Sequence, residues 1–138
     1  MPSMIQEMAS QKILIVDDDP FVIDMYVLKF KERGFDVETA SNGTAALQKY
    51  KEWQPEVVLL DVVLPMMDGF EIFREIKKIG RTPVIIFLTN FGEKQDVDRG
   101  LKMGADGYII KAHFTPSEVV EKVQHLLKDT NAFNKPAV

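Results

Sequence analysis

The chain has 138 residues, 46% of them hydrophobic and 28% charged, with a net charge of −4 and no cysteine. That length holds one domain with a substantial core and is too short for two, and the missing cysteines exclude disulfides, thiolate metal sites and cysteine nucleophiles. The interspersed charges leave no electrostatic footprint for nucleic acid, and no apolar stretch reaches the roughly 18 residues of a membrane span, so we expect a cytoplasmic protein with neither nucleic acid nor membrane as partner.

Residues 1–11 are aperiodic and lack the charged and apolar regions of a signal peptide, so they read as a flexible leader. The first regular element is Lys12–Val16, a continuous apolar run of the kind found in strands buried on both faces. Asp19-Pro20 then reads as an N-cap with proline at the first helical position. The helix runs to about Arg33 and stops at Gly34, which suits the left-handed position after a helix. Phe35–Ala40 alternates apolar and polar residues as an edge strand does. A helix over about Gly43–Glu52 follows, and Pro55 precedes a strand at Glu56–Leu60.

Asp61–Met67 is a loop, and Asp68 can cap a helix ending near Ile79–Gly80. Pro83 introduces the strand Val84–Leu88. The next helix, about Glu93–Met103, is weak: it has few apolar positions, and Gly100 inside it costs about 1 kcal/mol against alanine. Gly107–Ile110 is the fifth strand. Thr115-Pro116-Ser117-Glu118 is a capping box with proline at its first helical position. The last helix places Val119, Val120, Val123, Leu126 and Leu127 on one face. The domain is expected over residues 12–128, with residues 129–138 as a polar tail.

Strands alternating with helices imply an α/β domain with a parallel sheet and helices on both faces. Ligands of such sheets bind at the carboxyl ends of the strands. Four strands end there in a residue with chemistry to offer: Asp17 and Asp18 after the first, Asp61 after the third, Thr89 after the fourth and Lys111 after the fifth. In the strand order 2-1-3-4-5 the first and third strands are neighbours, so Asp17, Asp18 and Asp61 share one site. Their like charges repel, and a hard divalent cation such as Mg²⁺ relieves that through oxygen ligands. Asp19, just before Pro20, is read instead as a helix cap. Asp61 is the best nucleophile, since a carboxylate can attack phosphorus to give an acyl phosphate. Lys111 would give a phosphoryl oxygen a point charge and Thr89 a hydroxyl donor.

These residues sit in segments that resemble the response-regulator receiver domain of two-component signalling. The segments are Ile13-Leu14-Ile15-Val16-Asp17-Asp18-Asp19, Leu60-Asp61 with Leu64-Pro65-Met66-Met67-Asp68-Gly69, Phe87-Leu88-Thr89, and Gly104-Ala105-Asp106-Gly107-Tyr108-Ile109-Ile110-Lys111. They stand in the family's order and spacing from about Lys12 to Lys128. The resemblance implies a flavodoxin-like, doubly wound five-stranded parallel sheet with five helices. It implies that Asp61 is the phosphoacceptor for a sensor histidine kinase or histidine phosphotransfer protein. Asp18, Asp61 and the backbone carbonyl of Val63 would ligate Mg²⁺ or Mn²⁺, with Asp17 acting largely through water. Thr89 and Tyr108 match the family's switch pair, which would alter the face made by the fourth helix, fifth strand and fifth helix. The expected protein is a stand-alone receiver, a monomer or weak dimer, acting on an output partner the sequence does not name.

The chain departs from the family in four places. Ala112 stands where a proline usually follows the lysine in a cis bond. A cis bond before a non-proline residue costs about 2.5–4 kcal/mol, so a trans Lys111–Ala112 bond and a rearranged Ala112–Phe114 loop are expected. Asn90 replaces a small residue after Thr89, where it would narrow access to Asp61 or donate to the phosphoryl group. Val63 and Phe91 flank the expected path of the hydrolytic water, and neither can orient it, which implies slow self-dephosphorylation. Two other readings compete. A haloacid-dehalogenase-type phosphatase would want a second Asp where Val63 stands, and a degenerate receiver would serve only as a scaffold.

Overall fold

The computed structural model describes residues 11–81 and 83–133, the side chains only as far as Asp129. The expected leader up to residue 10 and the last five residues of the expected tail lie outside the described residues. Five parallel strands form one sheet in the order β2-β1-β3-β4-β5: β1 Lys12–Val16, β2 Asp36–Ala40, β3 Val57–Leu60, β4 Val84–Thr89 and β5 Gly107–Ile110. Five α-helices alternate with them: α1 Pro20–Glu32, α2 Gly43–Trp53, α3 Gly69–Ile79, α4 Lys94–Lys102 and α5 Pro116–Phe133. A short 3₁₀ turn, Lys111–His113, joins β5 to α5. This is the flavodoxin-like, doubly wound arrangement.

The strand sequences explain the layers. Successive side chains of a strand point to opposite faces. In β1, Ile13 and Ile15 join one core with Tyr26 and Phe30 of α1 and Val119, Val120 and Val123 of α5. Leu14 and Val16 join the other core, with Ala46 and Tyr50 of α2 and Phe70, Ile72, Phe73 and Ile76 of α3. Both faces are covered, which is why β1, β3 and β4 are almost continuously apolar. The half-buried β2 lies at an edge, as its alternation predicts.

The expected helix signals are realised. Asp19 accepts from the backbone amides of Phe21 and Val22. Asp68 and Glu71 form a reciprocal capping box on α3. Thr115 Oγ1 accepts from the Glu118 amide, while the Glu118 carboxylate accepts from the Thr115 amide. Gly34 has φ of 88°, as expected after α1.

Three local features differ from the sequence expectation. Phe35 lies before β2 rather than in it and packs edge-on against Phe30, ring centroids 5.2 Å apart. The last helix runs past Lys128 to Phe133. The weak helix is shorter than expected and Glu93 gives it no side-chain cap, but Gly100 proves to have a packing role. A Cβ there would stand 2.9 Å from Tyr108 Cδ2 and 3.1 Å from Phe87 Cδ2. The glycine lets α4 approach the aromatic rings of the sheet.

A second glycine fixes the edge where the chemistry lies. The Gly69 amide donates to the Val62 carbonyl at 2.8 Å, and a Cβ on Gly69 would sit 2.2 Å from the Asp61 carbonyl oxygen. The start of α3 thus rests directly on the backbone that carries Asp61. Gly69→Ala is expected to lower stability by about 1–3 kcal/mol through overpacking, measured as a fall in the urea midpoint with an unchanged slope.

Candidate functional site

Strand register brings the expected residues to one edge. Val16 of β1 pairs with Leu60 of β3, so Asp17 and Asp61, the next residues, leave the sheet side by side. Thr89 of β4 pairs with Ile110 of β5, which places Lys111 one residue beyond Thr89. Asp17, Asp61 and Thr89 are buried, at 2%, 7% and 0% exposure. Asp18 is exposed at the rim.

The carboxylates are held from two sides. Asp17 Oδ1 accepts from the Asp19 amide at 2.9 Å, and Asp61 Oδ1 accepts from the Val63 amide at 3.3 Å. The Lys111 ammonium reaches both acids, donating to Asp17 Oδ2 and, at 2.9 Å, to Asp61 Oδ2. Burial pushes the Asp17 carboxyl above its ordinary range, against the opposing hydrogen bonds from Lys111 and the Asp19 amide. Burial would lower the Lys111 ammonium, but its bonds to Asp17 and Asp61 outweigh this and hold it above its usual value. The lysine is therefore a charged member of the site and not a solvated surface group.

Oxygens from Asp17, Asp18 and Asp61 all lie within 4.8 Å of one another. Three carboxylates against one ammonium leave a local excess of two negative charges. At an effective dielectric of about 20, the Asp17–Asp61 repulsion alone is about 3 kcal/mol or more at such a separation. Among the described residues no hydrogen bond or ion pair engages the Asp18 carboxylate. A clustered, all-oxygen donor set with surplus negative charge fits a hard divalent cation such as Mg²⁺.

Thr89 and Tyr108 are linked through the backbone of Phe91. Thr89 Oγ1 accepts from the Phe91 amide at 3.1 Å, and the Tyr108 hydroxyl donates to the Phe91 carbonyl. The Tyr108 ring lies 5.5 Å from that of Phe87 and against Gly100 of α4. Burial, with the negative charges of Asp96 and Asp61, pushes its phenol up to about 12, so it remains a donor near neutral pH.

No peptide bond among the described residues is cis, so Lys111–Ala112 is trans as expected. The residues after β5 form the 3₁₀ turn, closed by the Phe114 amide on the Lys111 carbonyl at 3.3 Å. Asn90 does something the sequence expectation missed. Its side-chain oxygen accepts from the Ala112 amide at 2.9 Å. The signal was present in the sequence only in part, since alanine in place of proline restores an N–H that can donate. Val63 and Phe91 are exposed apolar residues beside the site, at 60% and 41%.

A family model described as the response regulator receiver domain matches residues 13–124. The chain is 38% identical over 118 residues to the DNA-binding response regulator MtrA of Mycobacterium tuberculosis, covering 86% of this chain and 51% of that protein. It is 36% identical over 119 residues to the alkaline phosphatase synthesis transcriptional regulatory protein PhoP of Bacillus subtilis, covering 86% and 49%. The chain thus spans about half the length of the curated relatives it matches. A DNA-binding relative conflicts with the expectation of no nucleic-acid partner, although this chain matches only about half of that protein. Among solved structures, the BeF3-activated DrrB receiver domain is similar at 34% identity with a TM-score of 0.77, covering 86% of this chain and 98% of that one. A CheY-like response regulator receiver domain protein from Methanospirillum hungatei matches at 28% identity and a TM-score of 0.82, covering 89% and 98%. Among the described residues no helix is long and apolar enough to cross a membrane.

The surplus charge makes a direct prediction. At a magnesium concentration about a hundredfold above its dissociation constant, binding stabilises the fold by about 2.7 kcal/mol, seen as a rise in melting temperature. Asp18→Asn, which removes a rim charge without breaking a hydrogen bond, is expected to shift the magnesium titration to higher concentration.

Proposed function

This chain belongs to the response regulator receiver family of two-component signal transduction, and on that premise we propose that Asp61 accepts its phosphoryl group. The donor is a sensor histidine kinase or histidine phosphotransfer protein. The observation that carries the reading is the Lys111 ammonium held against both Asp17 and Asp61. It supports the reading because a carboxylate that could attack phosphorus and an ammonium that could meet phosphoryl oxygens stand together, beside a cluster with surplus negative charge.

In the step itself an Asp61 oxygen attacks phosphorus. The bond from phosphorus to the partner's histidine nitrogen breaks, and its electron pair returns to the imidazole. Lys111 turns an N–H toward a phosphoryl oxygen, and the buried setting strengthens that contact because water does not screen it. Asp18, Asp61 and the Val63 carbonyl would hold Mg²⁺ or Mn²⁺, with Asp17 acting through water, and the bound ion supplies neutralisation of charge on the incoming phosphoryl group. The amides of Asp19 and Val63 keep the Asp17 and Asp61 carboxylates oriented.

The response begins at Thr89. Its hydroxyl can donate to a phosphoryl oxygen while Oγ1 keeps or loses the Phe91 amide. A shift of Thr89 moves Phe91, and the Phe91 carbonyl anchors Tyr108. Tyr108 in turn packs on Phe87 and on Gly100 of α4, so the change reaches the α4–β5–α5 face. This is a local charge event biasing a packed element. We take the output to be a protein contact at that face. The net charge of −4 gives the chain no electrostatic attraction for DNA, and the DNA binding in a relative's name belongs to a protein about twice this span.

Incubation with acetyl phosphate and Mg²⁺ tests the assignment. Intact-mass measurement is expected to show one added phosphoryl group, labile to base and absent in Asp61→Asn. A phosphatase would instead release phosphate without holding it, and a scaffold would take none. An adduct that persists in Asp61→Asn would refute the assignment. The exposed, apolar Val63 and Phe91 cannot orient a water, so the phosphorylated protein is expected to lose its group slowly. Val63→Asn should lose it several-fold faster; equal rates would count against this role of Val63.

A further inference from the structure

We infer that Asn90 is a positioning residue for Lys111, acting through its hydrogen bond to the Ala112 amide. This rests on the reading of Lys111 as the cation that meets the phosphoryl group.

The argument begins with what alanine lacks at position 112. Its φ is not fixed by a ring, and its amide carries an N–H free to donate. Lys111 precedes it directly, so the course of the backbone through Ala112 sets where the Lys111 side chain starts. The turn is closed by the Phe114 amide on the Lys111 carbonyl, a bond local to the turn that does not tie its backbone to β4. The Asn90 side chain supplies an anchor. Asn90 directly follows Thr89, and Thr89 is in register with Ile110. The end of β4 therefore lies beside the start of the turn. The partner at 2.9 Å is an N–H, so it is the amide oxygen of Asn90 that faces it.

This contact ties two sequence departures into one device. With the amide of residue 112 available, an acceptor at residue 90 fixes the turn, and the Lys111 ammonium arrives between Asp17 and Asp61. The hydrogen bond joins two exposed residues, so its loss is expected to touch global stability little. Its effect concentrates on the long lever of Lys111. The bond uses the Asn90 amide oxygen as acceptor and leaves its two N–H protons able to donate, so it adds a role to the expected donation to the phosphoryl group.

The test is a double-mutant cycle on the full chain with acetyl phosphate and Mg²⁺. Asn90→Ala is expected to slow phosphorylation of Asp61 by about two- to tenfold, the range one hydrogen bond can supply, with the urea midpoint nearly unchanged. In a Lys111→Ala background, and in an Ala112→Pro background where no N–H exists, the same substitution should have no further effect. An equal slowing in all three backgrounds would show that Asn90 acts on access or on the phosphoryl group directly, and would overturn the inference. Two measurements on the unphosphorylated protein stand apart from the phosphorylation reading. Asn90→Ala should speed hydrogen exchange of the Ala112 amide and shift the nitrogen resonance of the Lys111 ammonium. If both stay put the inference fails, even where Asp61 is phosphorylated. If both move and wild type takes no phosphoryl group, the positioning stands and the proposed function falls.

Discussion

Three carboxylates and a single ammonium share the carboxyl edge of this sheet, and the surplus negative charge governs what surrounds them. Two of the acids are buried, so their repulsion is not screened as it would be at the surface. Every neighbouring contact answers that repulsion. The amides of Asp19 and Val63 turn toward the acids, and Lys111 reaches across from β5 to bond to both. A buried ion pair of this kind is a poor source of stability, because desolvation of each charge offsets the attraction. On the proposed function it is better understood as a site held ready for a further cation and an anion.

The same edge explains how a change there could be felt elsewhere. Thr89 is fully buried, yet its hydroxyl is tied to an exposed loop residue, Phe91. Phe91 also holds the Tyr108 hydroxyl, and Tyr108 packs against Gly100 of α4. α4 has no side-chain cap and carries a glycine where a helix would rather have alanine. Elements of low local stability are those that conformational switches draw on. The glycine that weakens α4 is also what permits its contact with the Tyr108 ring.

Much of this was legible from residues alone. The strand runs, the caps at Asp19, Asp68 and Thr115, and the stop at Gly34 follow from local propensity and appear where expected. The clustering of Asp17, Asp18 and Asp61 followed from strand ends and strand order. Other features were misread or missed for a common reason. Phe35 looked like part of an alternating strand, but its amide donates back to the Phe30 carbonyl and not to a neighbouring strand. Gly100 looked like a defect until the rings of Phe87 and Tyr108 were beside it. Ala112 was read for its trans bond and loop, and Asn90, twenty-two residues away in sequence, accepts the amide that alanine restores.

By itself the sequence determined the alternation of strands and helices, the ends of the elements and the residue types available for chemistry. These depend on backbone propensity, side-chain periodicity and capping, which act over a few neighbouring residues. Only the tertiary structure decided which of those residues meet. Lys111 reaches Asp17 and Asp61, Asn90 reaches Ala112, and the backbone of Phe91 joins Thr89 to Tyr108, because parallel strands far apart in the chain end side by side. Contacts of that range are set by register and by packing of both faces of the sheet, and no local pattern records them.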